Sequence, residues 1–164
     1  MLKLAGAAIL ILCGAMAGAA MLRERRRSLV LLGEIKSALG LISGEIELCA
    51  RPLPDIFRSL SRRGGTVGAF FFAVCEGCAQ LPAGEVWQRC CGELELREEE
   101  KCTLAALGDV LGQYDGQRQA AEIESVRRRI CEFEQRRQNE IREKGKSWPM
   151  LGACAAAMAA LLII

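Results

Sequence analysis

From Leu32, apolar residues recur through Ile35, Leu39, Ile42 and Ile46 to Cys49 in alternating steps of three and four, the seam of a helix that packs lengthwise on another. Arg51-Pro52-Leu53-Pro54 ends it, because each proline removes a backbone donor and restricts the residue before it. Pro54 suits the first turn of a second helix with Ile56, Phe57 and Leu60 inward, which stops at Arg63-Gly64-Gly65. Val67, Phe70, Phe71, Val74 and Cys78 predict a short third helix closed by Leu81-Pro82, and a fourth runs from Ala83 to Cys91. Glu98, Glu99 and Glu100 open a fifth, where negative charge meets the positive end of the helix dipole, with Leu104, Leu107 and Leu111 as its apolar face. Ile123, Val126, Ile130 and Phe133 then mark a long final helix, rejoined by Ile141. The pattern carries almost no strand signal, so the fold class is all-α.

The ends of the chain differ from this alternating centre. Leu4 to Leu22 and Met150 to Ile164 contain no charged side chain, and all 20 acidic residues lie between them. As a helix the first segment is about 29 Å long, close to the ~30 Å hydrocarbon core of a bilayer. The second, at about 22 Å, crosses with local thinning or help from its ends, Trp148 serving as an interfacial anchor; a buried or interfacial helix is the alternative. A cleaved signal peptide is a second reading of the first segment, since Ala17-Gly18-Ala19 offers small residues to a peptidase. Arg23, Arg25, Arg26 and Arg27 oppose it, because a charge cluster there resists translocation. Arg142, Lys144 and Lys146 flank the second segment on the same side, which orients the centre to the cytoplasm. The expected organisation is an N-terminal transmembrane helix over 1–22, a cytoplasmic helical bundle over 23–147 and a C-terminal transmembrane helix over 148–164. Within the membrane, Gly14, Gly18 and Gly152 are candidate packing positions, since small residues let helix backbones approach closely.

Charge and residue inventory remove several function classes. With Lys3 outside it, the centre holds 21 basic and 20 acidic residues, which leaves no general nucleic-acid footprint. The chain has no histidine, which excludes Ser-His-Asp and Cys-His pairs and every His-containing zinc set. It has no Gly-rich Lys loop and no G-x-G-x-x-G for nucleotide phosphates. No enzyme activity, cofactor or small-molecule substrate is therefore expected. Nine cysteines are an odd count and give no complete disulfide framework.

Two patterns keep other readings open. Cys75, Cys78, Cys90 and Cys91 supply four thiols, a zinc-like inventory, although adjacent ligands fit paired knuckles poorly and buried free cysteine behaves as a small hydrophobe. The charged stretch from Arg127 to Lys146 reads first as a solvated helix face, with Glu124 and Arg128, Glu132 and Arg136, and Glu140 and Lys144 paired at four-residue spacing. Its Arg127, Arg128, Arg136 and Arg137 are candidates for a partner surface.

The order of these elements resembles stage III sporulation protein AB: an N-terminal span, an Arg-rich exit, a Leu-rich helix ending in Glu45-Ile46 before Pro52-Leu53-Pro54, then Leu111-Gly112 with Asp115 and Gln119, a long charged helix and a Gly-Ala-rich C-terminal span. The resemblance implies a non-enzymatic membrane component of the complex built between mother cell and engulfed forespore, at the outer forespore membrane. Members are similar to the cytoplasmic helical domains of platform proteins of type II secretion and type IV pilus systems. That likeness implies contact with other membrane subunits and with a secretion-type ATPase, and it is compatible with a homo-oligomer. A membrane-anchored thiol redox or zinc-binding protein is the alternative, and an adaptor unrelated to sporulation is the third reading.

Overall fold

In the computed structural model the backbone is described for residues 2–49, 51–111 and 116–163, and side chains for residues 16, 20, 23–49, 51–111 and 116–143. Six α-helices follow one another: α1 (Leu2–Cys49), α2 (Leu53–Ser61), α3 (Gly65–Gly77), α4 (Ala83–Gly92), α5 (Glu98–Ala105) and α6 (Gly116–Ile163), with a 3-10 turn over Ala106–Asp109. No strand occurs among the described residues. The chain forms two compact units, Val30–Gln135, and Met1–Leu29 with Arg136–Ile164.

In the Val30–Gln135 unit the seam of α1 is buried as its spacing predicts, with Leu32, Ile35, Leu39, Ile42 and Ile46 all in the core. Cys49 is exposed instead, because α1 ends there and the chain turns away through the two prolines. Pro52 sits in extended backbone as the residue that caps α2, and Pro54 falls in its first turn, where a missing N–H costs nothing. Ile56, Phe57 and Leu60 then face inward. Gly64 and Gly65 take φ of 73° and 68°, a left-handed pair that side-chain-bearing residues adopt with strain and that reverses the chain into α3.

The centre of the unit is aromatic. Trp87, 1% exposed, stacks on Phe57 at 5.8 Å and meets Phe70 edge-on at 5.0 Å, while Phe71 lies 5.4 Å from Phe57. These offset and edge-to-face arrangements add to the burial of the rings themselves. Three short helices thus share one cluster.

Two boundaries differ from the pattern in the sequence. α3 stops at Gly77, well before Leu81-Pro82, and the amides of Gln80 and Leu81 both donate to the Gly77 carbonyl at 3.0 Å. A Cβ at Gly77 would lie 2.5 Å from Val86 Cγ1, so this glycine is where α3 meets α4. Cys78 consequently falls outside the helix and is exposed, and Pro82 caps α4 rather than closing α3. The acidic run opens α5 as expected, and one of its members does more than meet the helix dipole. Glu100 is 2% exposed and its Oε2 accepts the Arg97 backbone N–H at 2.9 Å, one half of a capping box on α5. Beyond Ala105 the chain tightens into the 3-10 turn, where Gly84 and Gly108 touch backbone to backbone. That turn buries Leu107, and Leu111 follows it into the core.

Candidate functional site

α1 and α6 run in opposite directions within the Val30–Gln135 unit. Gly33 lies against the Glu134 carboxylate, Gly40 against Arg127 Cδ and Gly116 against Ile46, the sequence position rising on one helix as it falls on the other. A Cβ at Gly33 or Gly40 would stand 3.3 Å from those atoms, so the two glycines are the seats on which long side chains of α6 rest. Lys36 donates to Glu134 beside the first seat. That bond raises the Lys36 pKa above its ordinary value against the opposing effect of desolvation. Arg127 donates from Nε and Nη2 to the two oxygens of Glu124, each at 2.6 Å. The fork holds the Glu124 carboxyl below its usual range and raises Arg127. In the other unit Arg137, buried at 7% exposure, donates to Ser28 Oγ at 2.6 Å.

The four candidate arginines differ in their settings. Arg127 is committed to Glu124, with its near neighbour Arg128 more distant from the same carboxylate at 3.8 Å and 72% exposed. The closest partner of Glu124 is three residues on rather than four, because Arg127 lies between the helices where Gly40 leaves room. Arg136 is exposed, while Arg137 is buried on the inner face, so the solvated-face reading does not hold for it. Arg127 and Arg128 belong to one compact unit, Arg136 and Arg137 to the other. The packing positions Gly14, Gly18 and Gly152 lie outside the residues whose side chains are described.

The cysteines are not assembled as ligands. Among the described residues no group of three or more cysteines or carboxylates is placed to hold a metal ion. Cys90 and Cys91 are buried in the core, Cys75 is half-buried against it, and Cys78 is exposed. Burial raises the pKa of all four thiols, that of Cys91 to about 12. A thiol so shifted stays protonated near neutrality, which disfavours both metal ligation and thiolate attack. The zinc or redox reading of this set gains no support from this arrangement, and Cys90 and Cys91 pack in the core.

A groove that the periodicity did not reveal opens between α1 and the α2–α3 turn, with a volume of 410 Å³ and walls that include Val30, Glu34, Ser37, Leu60, Arg63 and Val67. Gly33 and Gly64 also line it. Its signal in the sequence is Val30, 60% exposed although it stands in a run of apolar residues. The walls mix apolar side chains with one carboxylate and one guanidinium, a lining suited to a side chain of a protein partner. Phe72, 58% exposed, is a separate apolar point on α3.

Among the described residues no helix is long and apolar enough to cross a membrane, and the apolar segments 4–22 and 150–164 lie almost wholly outside the described side chains. No curated protein and no solved structure matches the chain. The family model of stage III sporulation protein AB matches residues 3–164, both apolar ends included. With an all-helical fold and a match over virtually its entire length, this chain belongs to the stage III sporulation protein AB family.

Proposed function

We propose that the chain is a non-catalytic, membrane-anchored structural subunit of a secretion-like sporulation complex, held in the outer forespore membrane by its two apolar ends. Its helical unit, in the mother-cell cytoplasm, docks other membrane subunits and a secretion-type ATPase. The observation that carries this reading is the family match over residues 3–164, which takes in both charge-free segments as well as the helices between them. The composition supports it, since a chain without histidine and without a phosphate loop has little to offer as a catalyst. Exposed Arg128 and the groove bounded by Val30 and Val67 supply surface for such contacts.

Two measurements test it. A tagged chain purified in detergent from sporulating cells should retain the ATPase and neighbouring membrane subunits, and recovery of the chain alone at normal abundance overturns the scaffold role. In protoplasts taken before engulfment closes, when the space between the two membranes is still open to the medium, an impermeant maleimide mapped by mass spectrometry should leave Cys49 and Cys102, both exposed, unmodified until the membrane is opened. Modification from outside reverses the orientation.

A further inference from the structure

Within the unit formed by Met1–Leu29 and Arg136–Ile164, the described side chains include seven arginines and three glutamates. Arg137 is engaged inside the protein, but the arginines of the outer face of α1 are arranged differently. Met16 is 67% exposed, Ala20 is exposed, and so are Arg23 and Arg27. Steps of four, three and four place all four residues on one stripe of the helix. At about 1.5 Å of rise per residue, the two arginines stand roughly 5 and 11 Å beyond Ala20 along the axis. Ser28, which accepts the Arg137 hydrogen bond, lies on a different side, so the stripe faces away from that internal contact.

We infer that this stripe is a binding site for an anionic phospholipid, one acyl chain lying along Met16 and Ala20 and the phosphate headgroup held by Arg23 and Arg27. The inference rests on the reading of the first apolar segment as a membrane anchor. An apolar surface that turns basic within one helical turn matches the change from chain to headgroup in a single lipid, and a guanidinium fork fits two phosphate oxygens. A zwitterionic lipid offers the same phosphate with a choline or amine cation beside it, which the arginines repel. Basic residues this close to the bilayer each add attraction to negative headgroups, and salt weakens it because the contact is exposed.

The test uses the full chain in detergent micelles, with bound lipid counted by native mass spectrometry after addition of phosphatidylglycerol or phosphatidylcholine. The wild-type chain should retain phosphatidylglycerol at least about tenfold better. Arg23→Gln with Arg27→Gln should abolish that preference, Arg23→Lys with Arg27→Lys should keep most of it, and Arg62→Gln with Arg89→Gln, an equal loss of exposed charge on the other unit, should leave it unchanged. Should the glutamine pair fail to fold, loss of the wild-type preference between low and high salt remains as the readout. Equal retention of both lipids, or equal loss in the control pair, overturns the site, and displacement of bound lipid by millimolar inorganic phosphate overturns the lipid as its occupant. Alkaline carbonate extraction separates the two readings: a chain washed off membranes removes the anchor itself, whereas a chain that stays but binds both lipids alike removes only the site.

Discussion

Trp87 and Leu104 are joined by a buried hydrogen bond, the indole Nε1–H donating to the Leu104 carbonyl at 2.8 Å. The bond ties the centre of the aromatic cluster on α4 to the last turn of α5. Both residues are 1% exposed, so water has no access to replace either partner. Trp87→Phe removes this buried bond together with ring volume, and the expected loss is about 2–4 kcal/mol. Thermal unfolding of the full chain in detergent should show a fall in Tm of about 5–15 °C.

Gly84 and Gly44 should respond to alanine with opposite signs. A Cβ at Gly84 would stand 2.4 Å from the Gly108 carbonyl oxygen, a backbone atom that moves only with the 3-10 turn, whereas nothing lies within 4 Å of one at Gly44. Gly84→Ala should cost about 1–3 kcal/mol. Gly44→Ala, inside α1, should add about 0.5–1 kcal/mol by lowering the entropy of the unfolded chain. Matched melting curves of the two variants check the contrast.

Cys91 should be the most protected thiol in the helical unit. It is fully buried with its pKa pushed up to about 12 by desolvation, while Cys49 and Cys102 are exposed. Iodoacetamide at pH 8 should modify Cys49 and Cys102 and spare Cys91 until the chain unfolds. The folded state binds this proton more tightly than the unfolded thiol near pH 9, so its contribution is intact below about pH 9 and declines as pH rises towards 12. Cys91→Ala should flatten that alkaline decline.

Acid should act through Glu124. Its carboxyl is held below the ordinary value of 4.5 by the hydrogen bonds from Arg127, so it contributes stability above that pH and loses it as pH falls through the folded value. Glu124→Gln should lower stability at pH 7 and make the decline between pH 5 and 3 shallower than in the wild type. Parallel acid titrations of Tm read the difference directly.

The helices and most of their inward faces were legible because helical burial follows a three-and-four spacing, as Leu32 to Ile46 and Ile56 to Leu60 show. The prolines at 52 and 54 marked the α1–α2 turn for an equally local reason. What escaped depends on partners distant in sequence. Position 77 has no room for a side chain because Val86 occupies the space, and Arg137 is drawn inward by Ser28, 109 residues away. Glu100 looked like an ordinary dipole charge, and its burial comes from the fold around α5 as much as from its position. Cys75 and Cys78 are three apart like zinc ligands, yet spacing alone could not reveal that Cys78 lies beyond the helix end. The groove at Val30 needs the α2–α3 turn folded back over α1, which no periodicity encodes.

The bond between Lys36 and Glu134 spans 98 residues of sequence, and this separation has a bearing on how the protein is made. At about 5–20 residues per second, the ribosome needs roughly 5–20 s after releasing α1 to finish the part of α6 that lies against it. The short helices α2 to α5 neighbour one another in sequence and can condense during that interval, whereas α1 waits without α6, its Ile46 lacking the contact that Gly116 makes with it. The nascent chain thus carries an uncovered apolar helix face for seconds, a hazard for off-pathway association that early capture of the amino-terminal segment by the insertion machinery would limit.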